Sequence, residues 1–379
     1  MTRAMAEARH RARYWHRLAD GRLQCDLCPR NCRLRDGQRG FCFVRSREGE
    51  VLVLNAYGRS SGFCIDPIEK KPLFHFHPGG SVLSFGTAGC CLNCRFCSNW
   101  DISRSKEMDL LSDQASPEAI ARAAREWGCH GVAFTYNDPV IFAEYAMDVA
   151  DSCHARGLLA VAVTSGYLHD EARHDFFAKM DAANVDLKGF NDRSYFKLTG
   201  THLRPVLDTL VHLKHETDVW LEISTVLIPG FNDSDAELTA MCRWLISELG
   251  PDVPLHFSAF RPDHKMLDVP PTPASTLVRA RDIARQQGLH HVYFGERETR
   301  AGSSTDCPGC HAVLIERDGY AIVRYRLAPD GRCPECGTVV AGRFAARAGG
   351  FGDRTIPVTI DGGSSPDLDR SRPTRSHCG

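Results

Sequence analysis

Residues 89–99 read Gly-Cys-Cys-Leu-Asn-Cys-Arg-Phe-Cys-Ser-Asn and follow directly on the apolar run Ser81–Phe85. Cys90, Cys94 and Cys97 are spaced three residues and then two apart, which puts three thiolates on a polar loop at the end of a strand. A [4Fe–4S] cluster held by four cysteines is coordinatively closed and can only pass electrons, whereas one held by three keeps an iron open to a small molecule. Paired zinc cysteines instead close all four positions. Cys91, adjacent to Cys90 on extended chain, points the other way and is expected to pack.

Outward from this loop, short apolar runs bounded by Gly, Pro or Asp read as strands at Ser81–Phe85, Gly131–Thr135, Leu159–Thr164, Asn184–Leu187, Trp220–Ile228 and Leu255–Ala259. Helical patterns alternate with them at Pro117–Trp127 after a Ser116 cap, Val140–Ala155, Ser234–Leu249 and Ala274–Gln287. Repeated strand–helix alternation predicts an α/β fold, a partial (βα)6 barrel of the TIM type with its site at the C-terminal ends of the strands.

The 379 residues carry a formal net charge of -1, which provides no overall pull toward nucleic acid or membrane. Twelve Arg against six acidic residues in 1–50 read as a solvated basic helix. The start lacks the apolar segment of a signal peptide, and no run of about 18 apolar residues follows that would span a bilayer, so a cytoplasmic protein is expected. Seventeen cysteines in tight groups then point to metal rather than disulfides.

Two further groups flank the central one. Cys307, Cys310, Cys333 and Cys336 form two CxxC knuckles around a hairpin-like stretch at Asp318-Gly319, the pattern of a zinc ribbon, with rubredoxin-like iron as the alternative. Cys25, Cys28, Cys32 and Cys42 offer four thiolates among turn-forming Pro29, Gly37 and Gly40, suited to zinc or to an auxiliary [4Fe–4S] cluster. The expected organisation is an N-terminal helix and cysteine-rich module over 1–48, the α/β core over 49–300, the ribbon over 301–344, and a disordered Gly/Arg/Ser/Pro tail over 345–379.

The triplet with Phe96 before its last cysteine resembles the signature of the radical S-adenosylmethionine (SAM) superfamily. The blocks YWHRLADGRLQCDLCPRNC, IDPIEKKPLFHFHPGG, FTYNDP, VTSGY, DLKGF and IPGFND extend the likeness from Tyr14 to Cys336. They are similar to the pyruvate formate-lyase activating enzyme-like branch, and within it to the radical SAM member of the AmmeMemoRadiSam system. The resemblance implies a cluster whose open iron chelates SAM, reductive cleavage to a 5′-deoxyadenosyl radical, and hydrogen abstraction from a substrate such as a glycyl residue of a partner protein. It implies as partners a reductant such as flavodoxin or ferredoxin and the other proteins of that system.

Carried over by position, the resemblance assigns Phe96 to the adenine, Asn137 and Asp138 to the SAM amino group, Thr164 to the methionyl part, the Asp186-x-Lys188 motif to SAM with Lys188 on its carboxylate, and His256 to the ribose. Asp138 stands where relatives have Glu, and Ser165 where they have Asn. From the residues alone, Asn137-Asp138-Pro139 also reads as a helix cap and Asp186 with Lys188 as an internal ion pair. Glu222 is either a site residue or a satisfied core group. His75 and His77 alternate with Phe74 and Phe76 and are expected to share one strand face. The competing reading is a metal-binding adaptor or electron-transfer protein acting through its ribbon.

Overall fold

Each expected strand is buried on both faces, as strands under crossover helices must be, and in the computed structural model all six form. The structure describes residues 10–104, 113–294 and 300–360. We number the strands of the main sheet in chain order: β1 Phe63–Pro67, β2 Ser81–Phe85, β3 Gly131–Phe134, β4 Leu159–Thr164, β5 Ala182–Asp186, β6 Trp220–Leu227, β7 Leu255–Ala259, β8 Val292–Phe294 and β9 Ile356–Val358. Their spatial order is β8-β7-β6-β5-β4-β3-β2-β1-β9. Strands β2 to β8 run parallel, while β1 is antiparallel to β2, and β9 to β1. No described strand pairs β8 with β9, so the ladder is open at both ends.

Helices fill the crossovers. Pro117–Glu126 starts on Ser116, whose hydroxyl accepts from Ala119 N at 3.2 Å, and Asp235–Leu249 starts on Ser234, which accepts from Glu237 N at 3.3 Å. Proline at 139 gives a short 3-10 turn over Pro139–Phe142 before the helix Ala143–His154, so the expected helix from Val140 begins later. Two helices absent from the sequence reading, Asp192–Thr199 and Arg204–His215, lie between β5 and β6. No helix among the described residues is long and apolar enough to cross a membrane.

Two expectations about the ends fail. Described residues 10–48 form short antiparallel strands such as Trp15–Arg17, Leu23–Cys25 and Arg45–Glu48, not a helix. Most of their arginines are exposed, but two are buried and structural. Arg45 is buried in a bidentate pair with Glu144 at 2.7 and 2.8 Å, and Arg47 donates to Gly21 O and Gly49 O, each at 2.7 Å. At the other end the chain from 345 to 360 is laid against the core rather than loose. Ile356 pairs with Ile65, and Gly349 N donates to Pro78 O at 2.9 Å. Glycine at 79, with φ +76°, permits this approach, because a Cβ there would stand 2.2 Å from Gly349 O. The rest of the expected tail, 361–379, lies outside the described residues.

The C-terminal segment that carries Cys307, Cys310, Cys333 and Cys336 docks on the core through Arg317. Its fully buried guanidinium donates to Phe74 O at 2.7 Å and to Ser303 O at 3.1 Å, and lies 3.5 Å from the buried Glu69 carboxylate.

Candidate functional site: a three-cysteine loop at the strand ends

Strand β2 ends at Phe85, and the loop that follows is fastened from its neighbour. Asn137, just past β3, accepts from Thr87 N at 2.9 Å and donates to Thr87 Oγ1 at 3.1 Å and to Gly89 O at 2.8 Å. Farther along, Asn93 N and Arg95 N donate to Thr199 O and Leu198 O at 2.7 and 2.9 Å, tying the loop to the helix after β5. Cys90, Cys94 and Cys97 stay partly exposed, whereas Cys91 is 1% exposed and meets Cys28, Cys90 and, at 4.0 Å, Asp138. Cys91 is thus buried as expected, but its thiol stays in contact with Cys90 rather than turning wholly away from it.

Lysine 188, past β5, reaches this loop. Its Nζ lies 2.9 Å from Asp186 Oδ2 and 5.8 Å from the Phe96 ring centre, close enough for its charge to act on Cys94 and Cys97. Burial alone would lower its pKa, but Asp186 and Cys94 outweigh that and hold the ammonium above its ordinary range. Burial pushes the Cys94 and Cys97 thiols above their ordinary range, and the Lys188 charge offsets part of that rise.

Asp138 is turned inward. It accepts from Thr164 Oγ1 at 2.8 Å, from Ser165 N at 3.1 Å, from Val140 N at 3.1 Å and from the Ser165 hydroxyl. The contacts bear out the capping reading of Asn-Asp-Pro, since Asp138 caps the 3-10 turn, and they also gather β3 and β4 behind the cysteine loop. Ser165, the departure noted in the sequence, is the residue that meets the shorter Asp138.

Glu222 proves to be a fully partnered core carboxylate. It accepts from Phe74 N at 3.0 Å, His75 N at 2.7 Å and Trp220 Nε1 at 2.9 Å, and binds His256 Nε2 at 2.6 Å, fixing that ring on β7. His75 and His77 do not share a strand face. Residues 74–77 are loop, with His77 at φ 46°, so His75 is buried between Ala341 O and Tyr293 while His77 is partly exposed near His130.

Sequence reasoning missed Tyr195. Its buried hydroxyl has no hydrogen-bond partner among the described residues and lies within electrostatic reach of Lys188, Cys94 and Asp186. Only its position on the helix Asp192–Thr199, folded over the site, gives it meaning, and no local motif marks it.

The three thiols fit an iron–sulfur cluster with one free corner. They share one loop, with the partly buried Lys188 ammonium and the Phe96 ring beside them. The ribbon fits a single ion, since Cys307 and Cys336 sulfurs lie 3.5 Å apart, Cys310 and Cys333 3.6 Å, and all four within 4.8 Å of one another.

Residues 85–242, which begin at the end of β2 and contain the loop, match the model of the radical SAM superfamily. Over 327 residues the chain is 38% identical to an uncharacterized protein of Methanocaldococcus jannaschii, spanning 86% of this chain and 97% of that one. The chain belongs to the radical SAM superfamily. This radical SAM enzyme is also 25% identical over 230 residues to the benzylsuccinate synthase activating enzyme of Thauera aromatica, covering 59% of this chain and 66% of that protein. With the pyruvate formate-lyase-activating enzyme of Listeria monocytogenes it shares 26% identity over 172 residues, 41% of this chain and 66% of that one.

Proposed function

We propose that this radical SAM enzyme activates a partner protein by removing hydrogen from a glycyl residue, with Cys90, Cys94 and Cys97 holding the [4Fe–4S] cluster and the neighbouring strand ends holding SAM. The observation that carries the reading is the partly buried Lys188 beside Phe96 and the three-cysteine loop, on a chain related to two activating enzymes. When bound, cluster and SAM supply one-electron cleavage of the sulfonium to methionine and a 5′-deoxyadenosyl radical, which takes hydrogen from the substrate.

The chain's own part is binding, orientation and exclusion of water. Lys188, oriented by Asp186, holds the SAM carboxylate, Phe96 packs on the adenine, and Thr164 with Asp138 shapes the methionyl end. His256 meets the ribose, and Glu222 keeps its ring in place. Asn137 acts through the backbone of the cysteine loop. A low-potential carrier such as flavodoxin or ferredoxin supplies the electron, and the proteins of the AmmeMemoRadiSam system are the expected company. Zinc is the ion assigned to the ribbon, where its role is structural.

Removing Lys188 tests the assignment. The reduced cluster's low-temperature EPR spectrum shifts as SAM is added to wild type, and Lys188→Ala requires about tenfold more SAM or higher for the same shift, the loss expected for one charge-assisted contact. Equal SAM dependence of the two proteins removes Lys188 from the site.

A further inference from the structure

The N-terminal cysteines and the SAM-site loop are in direct contact. Cys42 O lies against Gly89, where a Cβ would stand 2.0 Å from it, so the backbones of the two cysteine loops touch one residue before Cys90. Arg30, inside the N-terminal set, donates through Nε to Cys91 O and through Nη2 to Gly200 O at 3.0 Å. The Cys91 thiol sits between the sets, meeting Cys28 on one side and Cys90 on the other.

The four N-terminal thiols line one small cavity together with Cys91 and Ile141. Gly40 leaves part of its wall bare, since a Cβ there would stand 3.8 Å from both Cys32 Sγ and Cys42 Sγ. The sulfurs are spread. Among the described residues, two groups of three or more His, Cys, Asp or Glu bring ligand atoms within 4.8 Å of one another, the ribbon and His174 with His212 and Glu216, and neither includes Cys25, Cys28, Cys32 or Cys42.

The two kinds of centre want different spacings. One zinc ion with Zn–S near 2.3 Å draws four sulfurs to about 3.8 Å apart, which the ribbon matches. A four-iron cube carries its cysteines on separate irons and holds them wider. Arg30 lines the same cavity and offsets negative charge of a thiolate-ligated cluster, while Arg45, also in its wall, is paired with Glu144.

We infer that Cys25, Cys28, Cys32 and Cys42 bind a second, four-iron cluster, closed by four protein thiolates, that passes electrons to the SAM-site cluster across Cys91. The binding site stands on its own geometry, and the electron path rests on the radical SAM reading above. A carrier of the flavodoxin or ferredoxin class is oxidised by one electron and the second cluster is reduced by one. The same electron then moves to the centre at Cys90, Cys94 and Cys97, returning the second cluster to its starting state. No bond is made or broken at either transfer.

The test is metal analysis of full-length protein reconstituted anaerobically. Wild type should hold about eight irons and one zinc, and the triple variant Cys90→Ala/Cys94→Ala/Cys97→Ala about four irons with an EPR signal after reduction. Because the triple variant leaves the N-terminal thiols untouched, it reports on them even if Cys28→Ala does not fold. A triple variant with no iron and about two zincs overturns the second cluster, and if wild type still releases 5′-deoxyadenosine the radical SAM reading survives that failure. For the path, the doubly reduced wild type should show spin coupling that broadens its spectrum beyond the sum of the triple variant and Cys28→Ala/Cys32→Ala spectra. A simple sum overturns the relay.

Discussion

A Cys94→Ala variant, incubated anaerobically with SAM and dithionite, releases no 5′-deoxyadenosine above background, whereas wild type does. Cys94 is the middle cysteine of the triplet and the one whose surroundings include Lys188, Asp186 and Tyr195. Losing it leaves two of the three thiolates that the cluster needs, and Cys91 is already engaged with Cys28 and Cys90. The whole rate enhancement is lost rather than a fraction, since the chemistry belongs to the cofactor. Liquid chromatography with mass detection reads the product. Activity within tenfold of wild type would place the essential cluster elsewhere.

Truncating Glu144 to Ala should destabilise the fold by about 3–5 kcal/mol, because it leaves the Arg45 guanidinium buried without its counter-charge. Glu144 is 3% exposed and Arg45 1%, and the same carboxylate also accepts Arg13 N at 2.6 Å. Arg45 further donates to Arg13 O at 2.8 Å, so one pair fixes the N-terminal ribbons on the helix Ala143–His154. Denaturant unfolding followed by circular dichroism measures the loss. A change below about 1 kcal/mol, as for an exposed pair, would contradict it.

What the sequence makes legible is local. The six parallel strands, the capping serines and the cysteine spacings each depend on residues within about a dozen positions, so their pattern survives without a structure. Long-range partners escape it. Glu222 meets His75 across 147 residues, Arg45 meets Glu144 across 99, and β9 joins β1 from the far end of the chain. The stretch 345–360 looks unstructured because its composition lacks periodicity, yet strand pairing and a glycine contact hold it. Likewise the arginines of 10–48 carry a basic pattern that fits an exposed helix, and only the buried acceptors around Arg45 and Arg47 reveal ribbons. Asp138 and Ser165, departures when read singly, become one contact when β3 and β4 are side by side.

The central claim is that the three-cysteine loop, with Lys188 behind it, cleaves SAM. Its most direct test is product analysis of wild-type protein with a full iron complement, held with SAM and dithionite under strict anaerobiosis. Release of 5′-deoxyadenosine and methionine in equal amounts is the predicted result, and fully loaded protein that leaves SAM intact would contradict the account.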